Sequence, residues 1–301
     1  MKRIGMGLAI LAICAAVLFS LMPERTTELH ASPEAAISES NGDHGQRAEP
    51  SPVKVGSVRS ANRHAVDLEA ASDYGLVLAQ VLPAAEAGDA EAMNTVAKVL
   101  EYCMFFRSAP GNFDIHVQTL ARISPDQSAA LNEASAKVKS RCRAVHSDGP
   151  IAMETIDGWQ NKAAGAGNLS ALVRSASRDL QDVRPEDHAD LLRAVLDSGD
   201  PALMLEASSL IARSAPDQSL GFEVGNDPIN EYAWQIAACR LGAPCNRGQN
   251  LLDSYCLSGS GCTAGSLEEL IRQKGLPQSA GLVLDKKIGA IVGSVNVAKK
   301  N

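Results

Sequence analysis

An all-α fold is the class this sequence predicts, and three observations predict it. Alanine, the strongest intrinsic helix former, supplies 46 of 301 residues, while the aromatic residues that strands favour make up 4%. From about residue 65 onward apolar residues recur at helical spacing, in runs bounded by glycine or proline. The connections between runs are short, as in stacked antiparallel helical hairpins of an α-solenoid-like array. No run of alternating strands accompanies them.

The elements follow in chain order. Met1, Lys2 and Arg3 place two positive charges ahead of an uncharged run, residues 4–22. Helical geometry gives such a run close to the ~30 Å hydrocarbon thickness of a bilayer. The positive flank should stay cytoplasmic and the remainder should cross. Residues 1–22 are read as a signal-anchor or a signal peptide. No clean A-x-A cleavage pattern follows the core, which favours the uncleaved anchor. A lipoprotein signal at Leu11-Ala12-Ile13-Cys14 is disfavoured by the bulky Ile13. Residues 23–62 are rich in Pro, Ser, Glu, Asn and Gly without an apolar period, and are read as a disordered linker. His30 and His44 lie there and are expected to be solvated.

Residues 63–280 are read as a helical domain. Tyr74, Leu76, Leu78, Val81 and Leu82 open it. Ala92, Val96, Val99, Leu100 and Cys103 then mark one buried helix face. Similar periods cover 128–145, 151–164, 169–180, 187–197, 201–213, 229–241, 247–257 and 266–273, and the stretch 105–127 is taken as a loop. Gly88, Gly167, Gly199, Gly242 and Gly259 fall at the breaks, and Pro125, Pro185, Pro216 and Pro228 near helix starts. Residues 281–301 form a C-terminal tail. Ile288, Ile291, Val292, Val295 and Val297 would suit a last helix, whereas Gly289 and Gly293 allow an extended chain.

Two internal echoes point to repetition. Ala85-Glu86-Ala87-Gly88-Asp89-Ala90-Glu91-Ala92 corresponds to Ala164-Gly165-Ala166-Gly167-Asn168-Leu169-Ser170-Ala171, and Gly199-Asp200 repeats the turn. Glycine lets two helices meet closely, and the following Asp or Asn caps the next one. Ala121-Arg122-Ile123-Ser124-Pro125-Asp126-Gln127-Ser128 likewise echoes Ala212-Arg213-Ser214-Ala215-Pro216-Asp217-Gln218-Ser219, with Pro-Asp expected to start a helix.

The A-x-A-G-[DN]-x-x-A pattern resembles the helix-turn-helix junction of Sel1-like and related tetratricopeptide-type repeats. Trp234 to Cys245 is similar to a cysteine-containing helix end of exported helical proteins from Xanthomonas-like bacteria. The resemblance spans about 75–275. The echoes fall 79 and 32 residues apart rather than at one period, and the family's Leu-Gly pair reads Val96-Ala97 here. The resemblance implies a protein-binding scaffold and transfers no catalytic residue.

Beyond Cys14, six cysteines remain: Cys103, Cys142, Cys239, Cys245, Cys256 and Cys262. An even number beyond an export segment implies disulfides. Cys103 with Cys142 would staple neighbouring helices. The last four read C-x5-C-x10-C-x5-C. Their simplest pairing is 239–245 with 256–262, and the crossed pairing 239–262 with 245–256 is the alternative. A zinc site is disfavoured because structural zinc prefers narrower spacing. No C-x-x-C motif for thiol exchange occurs.

Catalytic motifs are missing. Ser258-Gly259-Ser260-Gly261 is out of frame for a nucleophile elbow, and no zinc-protease, P-loop or dinucleotide motif occurs. Glu186-Asp187-His188-Ala189-Asp190 suits a helix first turn better than a metal or acid–base site. His64, His116 and His146 stand alone. No catalytic residue, metal ligand or cofactor is assigned. For Tyr102, Phe105, Phe106, Trp159 and Trp234 two readings stand: burial in the core, and contact with a partner.

The formal charge is −7; without Lys2 and Arg3, 26 basic residues face 35 acidic ones, giving −9. That balance argues against nucleic acid as a partner. The expected function is protein binding at the bacterial cell envelope, as an adaptor, inhibitor or immunity-type protein. The alternative is an envelope hydrolase acting on peptidoglycan or peptides. The expected place is the periplasm, tethered to the inner membrane through residues 4–22 if these are not cleaved. The expected partner is another envelope protein.

Overall fold

The structure, a computed structural model, describes residues 66–145, 149–178, 185–212, 214, 216, 218–220, 222–225, 227–273 and 278–298. The segments read as 1–22 and 23–62 lie outside the described residues. Among the described residues there are twelve α-helices and no strand. They are α1 (Tyr74–Glu86), α2 (Ala90–Ser108), α3 (Pro110–Ile123), α4 (Ser128–Cys142), α5 (Met153–Gly165), α6 (Leu169–Arg178), α7 (Pro185–Ser198), α8 (Pro201–Ile211), α9 (Pro228–Arg240), α10 (Asn250–Leu257), α11 (Leu267–Gln273) and α12 (Gln278–Ala298). A 3₁₀ turn, Pro125–Gln127, leads into α4, and an isolated antiparallel bridge joins Asn246 to Ser266. None of these helices is long and apolar enough to cross a membrane.

The echoed junctions share one geometry. Gly88 and Gly167 adopt φ of 93° and 86°. This left-handed backbone lets the Asp89 and Asn168 amides reach back to the Ala84 and Ala163 carbonyls, at 2.9 and 3.0 Å. The same two side chains cap the following helices, accepting from the Ala92 and Ala171 amides at 2.8 and 2.9 Å. Gly199 has φ of 62°, and Asp200 caps α8 through Ala202 at 2.9 Å, with Pro201 at the first helical position. The first two junctions also touch, because Asn168 Nδ2 donates to Glu91 Oε2 at 2.8 Å. This bond lies where α2 packs along α5.

Apolar residues gather into two clusters. The first joins α1 to α5 around Tyr74, Leu100, Phe113, Leu131 and Ile156. The second joins α6 to α9 with α11 and α12 around Leu192, Met204, Ile211, Trp234 and Ile288. Helix α10 belongs to both. Leu252 enters the second cluster, whereas Cys256 and Leu257 enter the first. It rests on α4, where Lys137 pairs with Asp253 at 2.7 Å.

Three disulfides close the simplest pairing. Cys103–Cys142 links α2 to α4, with Cα atoms 5.4 Å apart. Cys239–Cys245 and Cys256–Cys262 each tie a helix to the loop after it. The crossed alternative is not adopted.

The structure departs from the sequence reading in three places. The stretch taken as a loop holds α3, whose Phe113 and Val117 are buried one helical turn apart. The boundary at 280/281 falls inside α12, so the tail is helical as far as Ala298. Leu284, Ile288, Ile291 and Val295 form its buried stripe, and Gly281, Gly289 and Gly293 lie where an added Cβ would meet open space. Third, no helix begins at Pro216. The next one starts at Pro228, capped by Asp227.

Candidate functional site

A cleft of about 1260 Å³ runs along α2 and is the candidate site. Its floor is a stripe of α2 side chains, Glu91, Thr95, Lys98, Tyr102 and Phe105. Their spacing of four, three, four and three residues keeps them on one helix face. The opposite wall comes from α8 (Ala202, Leu205, Glu206) and α10 (Asn250, Leu251, Ser254, Leu257). Phe113 and His116 of α3 close one part, and residues 66–69, ahead of α1, line another.

The cleft is aromatic toward the end of α2. Phe105 is half exposed and stands edge-on to Phe113 and His116, with centroids 5.4 and 5.5 Å away. Phe106 packs edge-on to Phe113 at 5.5 Å. His116 Nε2 lies 2.7 Å from the Leu257 carbonyl oxygen. A carbonyl only accepts, so this nitrogen carries the proton and donates. Tyr102 meets the ring of Tyr74 edge-on at 5.1 Å, and burial pushes its phenol well above the usual tyrosine range.

The middle of the cleft is charged. Lys98 of α2 pairs with Glu206 of α8, each side chain about a quarter exposed. Ser170 Oγ donates to the second oxygen of Glu206. Glu101 pairs with Arg174, and with Arg178 at 3.2 Å. These contacts tie α2 to α6 and α8 without closing the cleft.

Beside Tyr102 a polar knot fixes the rim. Arg141, 6% exposed, donates to the Glu69 carbonyl at 2.6 Å and to Asn250 Oδ1, and lies over the Tyr74 ring 5.5 Å from its centroid. Asn250 donates through Nδ2 to the Tyr74 hydroxyl at 3.0 Å and through its backbone to Glu69 at 2.9 Å. Tyr74 itself donates to the Leu68 carbonyl at 2.9 Å. Residues 66–69, α1, α4 and α10 are thereby locked together. Burial raises the Tyr74 phenol, with Arg141 opposing.

Of the residues singled out in the sequence, Tyr102, Phe105 and Phe106 come together on the cleft. Trp159 does not join them; it is partly buried on α5, with Lys162 over its ring at 4.8 Å. Trp234 is fully buried, and its indole donates to the Met204 carbonyl, so it is a core residue and no partner contact. His188 is buried near the start of α7. Among the described residues no group of three or more His, Cys, Asp or Glu side chains could hold a metal ion. The sequence reading missed Lys98, Glu206, Glu101, Arg174 and Arg141. Their partners are distant in the chain, and no local pattern marks them.

Comparison with family models, with curated proteins and with solved structures gives no match. The cleft is therefore read from its own chemistry.

Proposed function

We propose that the protein is an exported binding module of the bacterial envelope, an adaptor, inhibitor or immunity-type protein that holds a segment of a partner in the α2 cleft. The observation that carries this reading is the α2 stripe, with an aromatic end beside a charged middle. Apolar surface with a few placed polar groups is what a recognition groove requires. The half-exposed Phe105 supplies an anchor position, and aromatic residues are enriched where interfaces concentrate their energy.

Three disulfides support an oxidising compartment, and the charged lead with residues 4–22 supports export. The like geometry at Gly88 and Gly167, with a left-handed Gly199 ahead of the capping Asp200, supports kinship with Sel1-like repeats in a solenoid-like array of hairpins.

The test is capture from crosslinked cell envelopes with tagged full-length chain. A partner retained by the wild type, lost with Phe105→Glu and kept with Ile123→Glu supports the reading. Ile123 is exposed and does not line the cleft. No partner, or a partner held equally by both variants, overturns it. The hydrolase alternative would instead show turnover of peptidoglycan or peptides by the wild type.

A further inference from the structure

We propose that the cleft is also a seat for this chain's own residues 51–65, which a partner must displace. Charge is the first argument. Asp67, Glu69, Glu91, Glu101 and Glu206 line the cleft, against Lys98 and Arg174. Lys98 is paired with Glu206 and Arg174 with Glu101. Asp67, Glu69 and Glu91 keep hydrogen bonds only, from amides at Glu69, Ala70 and Asn250 and from the Asn168 side chain. Among the described residues no cation lies within ion-pair distance of these three. A fitting occupant brings apolar side chains for the aromatic end and cations for these carboxylates.

The chain carries such a segment directly upstream. Residues 51–65 read SPVKVGSVRSANRHA, with three cations (Lys54, Arg59, Arg63), three valines and no acid. The segment thus offers one cation for each of the three carboxylates without one. Position is the second argument. The next four residues, 66–69, already line the cleft, with Val66 and Leu68 packed against the first core cluster. Fifteen extended residues reach about 50 Å, whereas the α2 stripe from Glu91 to Phe105 is about 21 Å long. The tether is long enough to occupy the whole groove, and a segment joined by so short a link acts at high effective concentration.

The experiment uses the purified full-length chain in detergent micelles, with p-benzoylphenylalanine replacing Phe105 or, in a second variant, Leu205 on the opposite wall. After irradiation and peptic digestion, mass spectrometry maps the crosslinks. The expected result is crosslinks into residues 51–65, unchanged by tenfold dilution. Their yield should fall at least threefold when Lys54→Glu, Arg59→Glu and Arg63→Glu are combined. Crosslinks that miss 51–65 from both positions overturn the proposal, as does a yield indifferent to the charge reversal. Crosslinks that disappear on dilution assign the groove to a second copy and also overturn it.

Discussion

Replacing Gly88 or Gly167 by alanine isolates what the echoed junctions contribute. Both glycines have positive φ, and an added Cβ at either one meets nothing within 4 Å. The substitution therefore adds backbone strain without a packing clash. Holding alanine in the left-handed region costs about 1–2 kcal/mol. The unfolded chain becomes stiffer, which returns about 0.4–1 kcal/mol. The net loss should be about 1 kcal/mol for each variant, or about 2–4 °C in Tm at this domain size. Asparagine tolerates the left-handed region, so Gly88→Asn and Gly167→Asn should lose less than half as much. Thermal and urea unfolding followed by circular dichroism at 222 nm would measure all four. Equal losses for Ala and Asn would refute the backbone argument. A difference above about 1 kcal/mol between Gly88→Ala and Gly167→Ala would refute the equivalence of the junctions.

Trp234→Ala should cost about 3–5 kcal/mol in urea unfolding, because the indole is fully buried; a loss below about 1 kcal/mol would contradict its place in the core. Cys103→Ser, which opens a 39-residue separation, should cost about 4 kcal/mol, against about 2 kcal/mol for Cys239→Ser or Cys256→Ser, whose separations are 6. Equal costs across the three would sink the loop-length argument. The Arg240 hydrogen bond, helped by Arg272, holds the Glu268 carboxyl below its ordinary 4.5, against a smaller opposing effect of burial. Its folded value lies below its unfolded one, so the stabilisation is present above about pH 4.5 and fades as pH falls through the folded value. Glu268→Gln should therefore be less stable than wild type at pH 7, and the gap should narrow as pH falls below about 4.5; a gap that stays constant through the acid range would exclude the ion pair as its source.

Much of the fold was legible because local chemistry and packing agreed. At α2, α6 and α8 the cap residue, the glycine before it and the apolar stripe all mark the same start. Helix α3 escaped because its pattern is blurred. It opens on Pro110-Gly111-Asn112, and Ile115 and Ile123 are exposed, so apolar residues occupy both faces. Packing of Phe113 and Val117 overrides those poor local preferences. In α12 the three glycines weaken propensity by about 1 kcal/mol each, but they sit off the stripe that packs on α9 and α7. The Pro216 echo misled because Pro-Asp is compatible with a turn as readily as with a helix start. At the cleft, Tyr102, Phe105 and Phe106 were legible as an apolar concentration closing a helix. The ion pairs across it were not, since Lys98 and Glu206 are 108 residues apart. Trp234 shows the opposite limit: composition marks a tryptophan as notable, and only packing tells whether solvent reaches it.

The double membership of α10 bears on how the chain is made. The first apolar cluster is complete only when Cys256, Leu257 and Cys262 have joined it. Helix α4, against which α10 rests, ends at Cys142, about 108 residues before α10 begins at Asn250. At about 5–20 residues per second, a growing chain leaves that face of α4 uncovered for about 5–20 s. Lys137 and Arg141 wait through the same interval for Asp253 and Asn250. The amino-terminal half thus emerges first yet stays open until residue 262 has followed, and a ribosome stalled before codon 250 would release a chain whose opening helices lack their closing piece.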